Sequence, residues 1–193
     1  GVEQWAARYN GPQNSLDESK SIAIDDSGNV YVTGNSPGIG TAQDYATIKY
    51  NSSGVEQWVS RYNGAQNSAD FSKSIAVDKS GNVYVTGTSE SGQNGYDSAT
   101  IKYDSAGDSV WVEIFNTPEI GSADYANSLV IDSLGNVYVS GWRRIPSGST
   151  NLDFLTIKYN SSGLLLWAAD YDGPANSNEA PNAIAVDGNG NVY

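Results

Sequence analysis

Apolar and β-branched residues occur along the chain in short runs of five to eight residues, separated by turns rich in Gly, Asn, Asp and Ser. Residues 21–25 (SIAID) are apolar enough to be buried on both faces. Residues 29–34 (NVYVTG) combine β-branched and aromatic side chains, which favours a strand. Between the two, Asp25 and Gly28 suit a tight hairpin turn. No stretch has the period of a helix, so the pattern predicts an all-β protein built from hairpins.

The same pattern returns along the chain as an internal repeat. The motif D-x-x-G-N-V-Y starts at Asp25, Asp78, Asp132 and Asp187, at spacings of 53, 54 and 55 residues. A second motif, D-x-x-T-I-K-Y, starts at Asp44, Asp97 and Asp153, and a Trp-containing motif starts at Gly1, Gly54, Gly107 and Gly163. Each repeat therefore contains four predicted strands in two hairpins.

A four-stranded antiparallel unit of about 53–56 residues is typical of a β-propeller blade, because solenoid repeats are shorter. The alternative is a tandem array of β-sandwiches, which would need spacers between units that this chain lacks. The first strand of a propeller blade lies nearest the central channel and the fourth lies outermost. The D-x-x-G-N and N-S-S-G turns are then expected on one face, and the variable loops and crossovers on the other.

The motifs I-A-[IV]-D-x-x-G-N-V-Y-V-[TS]-G and D-x-x-T-I-K-Y-x-x-x-G-x-x-x-W, followed by [YF]-[ND]-G, also resemble a known family. They are similar to the SBBP-type (seven-bladed β-propeller) repeat of bacteria and archaea, over essentially the whole chain. That resemblance implies secreted or cell-surface proteins, mostly of unknown role. The third unit departs from it, since Ile114-Phe115 replaces the R-Y pair of the first two units.

We expect residues 1–193 to be a single propeller segment and a fragment of a longer chain. Its parts are an outer strand at 1–11, blades at about 20–64, 73–117 and 127–173, and the inner strands of a further blade at 183–193. An unpaired strand exposes a row of donors and acceptors. We therefore expect both ends to pair with further propeller sequence or with a neighbouring copy.

Composition and charge exclude several classes of protein. The chain has no Cys, His or Met, so it cannot form a disulfide, a zinc site of the usual ligands or an imidazole-dependent triad. Its formal charge of −12 opposes binding to nucleic acid, whose affinity depends on Lys and Arg. No apolar run is long enough for insertion into a membrane.

Trp142, Arg143 and Arg144 form the first candidate binding site. Trp142 lies outside the repeated Trp positions, and we expect these three residues in the longest variable loop. An aromatic side chain beside two cations, in an otherwise acidic protein, has the composition of a binding hot spot. The alternative is a locally packed loop. The repeated Trp5, Trp58, Trp111 and Trp167 are expected to fill the space between blades.

Two sets of acidic and amide residues are candidates for ion or ligand binding. Asp17, Asp70 and Asp124 occupy equivalent crossover positions, where a ring of carboxylates at the channel mouth could hold a cation or accept sugar hydroxyls. The alternative is that each one caps its own crossover. Asp187, Asn189 and Asn191 place oxygen ligands at alternate positions, as calcium loops do. The missing distal Glu favours a plain hairpin turn there.

These observations lead to two hypotheses of function. The first is a noncatalytic extracellular interaction or scaffold module without a cofactor, which binds protein or carbohydrate through its variable-loop face. The second is a propeller hydrolase or lyase that uses Ca²⁺ held by carboxylates in the central channel, which is an analogy from fold. Extracellular or cell-surface localisation belongs to the first hypothesis.

Overall fold

A computed structural model describes residues 1–91, 95–119, 121–144, 146, 152–174 and 178–193. Their strands form three four-stranded antiparallel sheets, each in chain order. The first sheet contains β1 (Glu18–Ile24), β2 (Val30–Pro37), β3 (Gln43–Tyr50) and β4 (Glu56–Tyr62). The second contains β5 (Asp70–Val77), β6 (Val83–Glu90), β7 (Tyr96–Tyr103) and β8 (Ser109–Phe115). The third contains β9 (Ala123–Ile131), β10 (Val137–Arg144), β11 (Asp153–Tyr159) and β12 (Leu165–Tyr171).

The predicted all-β class and the four-stranded antiparallel unit are therefore confirmed. The helix in the described ranges is a single 3₁₀ turn at Ala65–Asn67. No helix among those residues is long and apolar enough to cross a membrane. The number of blades and the closure of a ring stay predictions.

The hairpin turn between the first two strands of each sheet is built around an Asp carboxylate. Asp25 accepts hydrogen bonds from the backbone N–H groups of Ser27 and Asn29, from the Asn29 amide and from the Tyr31 hydroxyl. Gly28 has φ 78°, a left-handed conformation that favours glycine. The same bonds occur at Asp78, Asp132 and Asp187, so the D-x-x-G-N-x-Y motif is a turn with its own internal acceptor.

Neighbouring sheets pack face to face as layers. Tyr31 and Tyr45 of the first sheet are fully buried against Val85 and Ile101 of the second. The second and third sheets enclose an equivalent cluster around Tyr84. First strands of adjacent sheets also touch, β1 with β5 and β5 with β9, which fits their expected inner position.

The repeated Trp side chains fill the space between blades, as predicted. Trp58 lies between Tyr31 of its own sheet and Tyr103 of the next, with ring centroids 6.1 and 6.4 Å away. Its indole N–H donates to the Ser105 carbonyl of the next sheet at 3.2 Å. Trp111 makes the equivalent bond to Ser161 at 3.3 Å. Trp58 and Trp111 therefore tie their blades to a turn of the following blade, whereas Trp167 contacts only Tyr138 of its own sheet among the described rings.

The two end segments are unpaired with the three sheets of the described chain. Residues 1–11, expected as an outer strand, form no strand here, and their pairing with further propeller sequence or a neighbouring copy stays a prediction. Trp5 nevertheless packs on Tyr50 and donates to the Ser52 carbonyl, as a fourth-strand Trp does. Residues 183–193 fold around the Asp187 turn, but their predicted strands reduce to one bridge, between Val186 and Val192.

Candidate functional site

The ends of the blades form two faces of different character. The D-x-x-G-N and N-S-S-G turns lie together on the turn face, where an added Cβ at Gly28 would contact Ser52 at 3.4 Å. The loops between second and third strands meet the crossovers on the opposite side, which we call the loop face. There the Ala42 N–H donates to the Asn67 carbonyl at 3.2 Å. The predicted separation of turns from variable loops is confirmed.

The crossover aspartates Asp17, Asp70 and Asp124 lie on the loop face, and each one caps its own crossover. Their carboxylates accept hydrogen bonds from the backbone N–H groups of Gly11, Gly64 and Thr117, at 2.8, 2.6 and 2.6 Å. Asp70 and Asp124 are 1% and 0% exposed. Burial raises the pKa of both carboxyl groups, and these hydrogen bonds oppose the shift. The geometry supports the capping alternative for all three.

A second set of aspartates lies at the start of the third strand of each sheet. These residues were not identified as a candidate site from the sequence. Asp44 and Asp97 are 3% and 2% exposed. In the second sheet, Ser89 pairs across the strands with both Asp70 and Asp97. In the third sheet, Arg143 pairs in the same way with Asp124 and Asp153. The signal that could have found them is the Asp that opens every D-x-x-T-I-K-Y motif.

The cation nearest to these aspartates differs from blade to blade. In the first sheet, Arg61 donates to Asp44 at 3.0 Å, with further bonds to Ser36 and to the Tyr9 hydroxyl. In the third sheet the cation comes from β10, where Arg143 forms an ion pair with Asp170. Asp170 occupies the repeat position of Arg61. The ion pair therefore joins the third and fourth strands in the first blade but the second and fourth strands in the third blade.

The second sheet has no such cation, because Ile114 takes the position of Arg61 and Ser89 takes that of Arg143. Asp97 Oδ1 is buried and has no hydrogen-bond partner among the described residues. Burial raises the pKa of Asp97, and a bond from Ser91 opposes this only in part. Asp44 and Asp153 also have one buried oxygen without a partner, but Asp97 differs from Asp44 in having no ion pair with a cation among the described residues.

Trp142, Arg143 and Arg144 do not lie in a variable loop as predicted. They are the last residues of β10, because the backbone pairing with β9 continues as far as Arg144. Arg143 is bound to Asp170, and exposed Arg144 donates to the Gly121 carbonyl at 3.3 Å. Most of the loop that follows lies outside the described residues. Trp142 and Arg144 remain candidates for binding, and Arg143 has a structural partner.

Trp142 belongs to a row of three half-buried aromatic rings on the loop face. Its ring stacks on Tyr125, its direct cross-strand partner, with centroids 5.2 Å apart and planes 21° apart. Tyr125 in turn contacts Tyr96 of the second sheet at 5.5 Å. We call Tyr96, Tyr125 and Trp142 the aromatic row. Burial raises the pKa of Tyr125, and nearby Arg144 opposes that shift.

The aromatic row does not follow the repeat. The position of Trp142 is held by Asn35 in the first blade and Thr88 in the second, which are 4% and 3% exposed. Tyr125 is replaced by Glu18 in the first blade and Phe71 in the second. Residues that the fold needs recur in every blade, so a departure confined to the boundary of the second and third blades points to another role.

The predicted calcium site at Asp187, Asn189 and Asn191 lies in an exposed hairpin turn. Asp187 Oδ1 accepts the N–H groups of Asn189 and Asn191, and Oδ2 accepts the Asn191 amide and the Tyr193 hydroxyl. These bonds match those of the other three turns. The arrangement has the geometry of the plain hairpin, and its carboxylate oxygens are engaged without an ion.

A separate group of carboxylates gathers at the end of the third blade. Oxygen atoms of Asp153, Asp172 and Glu179 all lie within 4.8 Å of one another. The pKa of Asp153 is raised, first by burial and then by its two acidic neighbours. Exposed acidic groups of this kind are common without an ion, so the cluster does not by itself distinguish the two hypotheses.

Comparisons with known proteins agree with the architecture. The sequence profile of a family described as "Beta-propeller repeat" (SBBP) matches three times, at residues 4–40, 57–93 and 110–142. No curated protein matches the sequence. A crystal structure of a protein of unknown function from Bacteroides caccae has the same fold, with a TM-score of 0.53 and 14% identity. The match covers 91% of this chain and only 52% of that one, so this chain spans about half of its length. The three profile matches cover more than half of the sequence, and the chain belongs to the SBBP β-propeller repeat family.

Proposed function

We propose that this chain is a noncatalytic, extracellular interaction or scaffold module that binds its partner on the loop face. The observation that carries the proposal is the aromatic row, which breaks the repeat at the boundary of the second and third blades. Large aromatic side chains beside an exposed Arg are the residues enriched at binding hot spots. The extracellular location and the class of partner, either protein or carbohydrate, are part of this proposal. The location is suggested by the resemblance to the repeat family.

The surrounding fold supports a rigid binding surface. Tyr125 and Trp142 lie on paired strands, and Arg144 is the last residue of β10. Sites on strands are held more precisely than sites on loops, which lowers the entropy lost on binding. A propeller that repeats its packing residues in every blade can vary such surface positions without changing its core.

Binding measured with a panel of immobilised peptides and oligosaccharides tests the proposal. The site variant is Trp142→Thr with Arg144→Ser, which gives position 142 the residue that the second blade already has. The control is Phe71→Ala, which removes the aromatic side chain at the second-blade position equivalent to Tyr125. We expect the site variant to lose ligands that the control retains, with both variants folded by circular dichroism. Ligands that bind all three proteins equally, or that are turned over by the wild type, contradict the proposal.

The second candidate, a Ca²⁺-dependent hydrolase or lyase, requires an ion held by carboxylates. Asp153, Asp172 and Glu179 are the described acidic groups gathered most closely for one. Calcium titration followed by thermal unfolding separates the two functions. A rise in melting temperature that is lost on Asp172→Asn, together with hydrolysis of a bound substrate, would favour the enzyme.

A further inference from the structure

The aromatic row extends across two blades. Tyr96 begins β7 in the second sheet, whereas Tyr125 and Trp142 are cross-strand partners on β9 and β10 of the third. Centroid separations of 5.5 and 5.2 Å place the three rings in continuous contact. The stacked rings of Tyr125 and Trp142 cover one face of each other, so a ligand at the row would contact the outer ring faces and the ring edges.

The groups around the row are polar. Arg144 is exposed, and its guanidinium donates to the Gly121 carbonyl at 3.3 Å. Successive side chains of a strand point to opposite faces, so Arg144, two residues after Trp142, lies on the same face of β10 as the row, whereas Asp124 and Arg143 lie on the other face. No large aliphatic side chain is exposed on β7, β9 or β10 within the described residues. The row thus consists of aromatic rings in a polar setting rather than a broad apolar patch.

From this combination we propose that the aromatic row binds a neutral oligosaccharide, which rests on the proposed function and names its ligand class. A pyranose ring presents C–H groups that pack against the electron-rich face of an aromatic ring, and its hydroxyls need polar neighbours. A protein partner would require an apolar core around the aromatic anchors, and the strands here expose none. The formal charge of −12 disfavours an acidic glycan.

Half-burial of the three rings also suits a sugar ligand. Each ring is held by its neighbour, so little side-chain entropy is lost when a ligand docks. Arg144 is free of any carboxylate contact among the described salt bridges. Its guanidinium can therefore donate to hydroxyl groups without breaking an ion pair.

Isothermal titration calorimetry with cellohexaose, chitohexaose and mannohexaose tests this proposal. We expect at least one of these neutral oligosaccharides to bind the wild type. Trp142→Thr should weaken that binding by roughly tenfold, because one stacking surface is lost. Phe71→Ala should change it by no more than about twofold, as expected for a residue outside the row. Tyr125→Ala is a second variant, whose folding is checked by circular dichroism.

Three outcomes would overturn the ligand class. They are no binding of any of the three oligosaccharides, binding that Trp142→Thr and Tyr125→Ala leave unchanged, and tighter binding of a heparin hexasaccharide. If peptides bind through Trp142 while neutral oligosaccharides do not, the proposed interaction site stands and the glycan proposal fails. If no ligand of either class depends on Trp142, both proposals fail.

Discussion

Buried aspartates on the loop face show how single residues set the local electrostatics of each blade. Asp44 and Asp97 occupy the same position of the repeat and are buried to the same degree. Arg61 forms an ion pair with Asp44, whereas Asp97 has no ion pair among the described residues. A buried charge is destabilising unless it is paired. The same residue is therefore tolerated in the first blade, where it is paired, and lowers the stability of the second.

Asp97→Asn is expected to raise the stability of the folded chain at neutral pH by about 1 kcal/mol, because it removes a buried charge that has no ion-pair partner among the described residues. The pKa of Asp97 is raised when folded, so the folded state binds a proton more tightly than the unfolded chain does. At neutral pH the charged Asp97 lowers the free energy of unfolding of the wild type. This penalty decreases as the pH falls through the raised pKa toward the unfolded value of 3.8, because the carboxyl group becomes protonated in the folded state first. Thermal unfolding should show the advantage of the variant shrinking over that range.

The matched control is Asp44→Asn, which leaves Arg61 without its carboxylate. It should lower the melting temperature at neutral pH, opposite in sign to Asp97→Asn. Equal effects of the two substitutions would mean that Arg61 does not compensate Asp44 as the structure indicates.

The turn aspartates respond to pH in the opposite direction. Burial acts to raise the pKa of Asp78, but bonds from Asn82, Tyr84 and Ser80 outweigh it and leave the pKa lowered. Its contribution to stability is present above the unfolded value of 3.8 and is lost as pH falls through the folded-state pKa. Asp78→Ala should cost about 2 kcal/mol at pH 7, measured by urea denaturation. A cost that persists undiminished at pH 2 would contradict this account.

At the scale of the element, the fourth strand joins one blade to the next through its Trp. Trp58 contacts rings in two sheets and bonds to the turn of the second. Trp167 contacts Tyr138 of its own sheet and is 38% exposed. Trp58→Ala should therefore destabilise the protein by roughly 3 kcal/mol, and Trp167→Ala by less than half of that. Chemical denaturation of both variants measures the difference, and similar losses would show that Trp58 does not bridge the blades.

Strand β10 shows how pairing can override sequence pattern. The run W-R-R departs from the T-G-N-S and T-G-T-S of the other blades, and its composition suggested a loop. Arg143 and Arg144 are nonetheless paired with Asp124 and Ala123. The hydrophobic pattern of β9 already makes it a strand. Its backbone N–H and C=O groups can therefore pair with those of residues 142–144, whatever side chains these residues carry.

For the whole molecule, the outward face of the first blade stands out. Ile22 and Ile24 are each 63% exposed, whereas the equivalents of Ile22 in the next two blades, Ile75 and Leu129, are 7% exposed. Those two are covered by the preceding blade. We propose that another blade of the same repeat covers Ile22 and Ile24, whether from the same chain or a second copy.

Self-association of the 193-residue chain checks this proposal. Analytical ultracentrifugation should show concentration-dependent association, which the double variant Ile22→Ser with Ile24→Ser should reduce. The variant has less apolar surface to bury in the contact, and burial of such surface contributes about 25 cal/mol per Å². Val55→Ser, at an exposed apolar residue outside this face, is the control. A chain that stays monomeric at all concentrations, or a control that matches the double variant, would count against an inter-blade contact.

Local structure follows from the sequence because its determinants are local. The D-x-x-G-N-x-Y motif contains the acceptor, the donors and the glycine of its own turn, and period-two runs define the strands on either side. Repetition of these motifs then implies blades that stack alike, and it places the repeated Trp residues between them. The all-β class, the four-stranded unit and the division into two faces needed no further information.

Contacts between residues distant in the chain were decided by tertiary structure. Whether an aspartate is neutralised depends on which side chain lies across the sheet, and Arg61 and Arg143 reach that place from different strands. The contact of Tyr96 with Tyr125 arises because two blades pack side by side. Residues 1–11 have a strand-like sequence but lack a neighbouring strand to complete their hydrogen bonds. A strand and a binding surface both require partners, and only the folded arrangement supplies them.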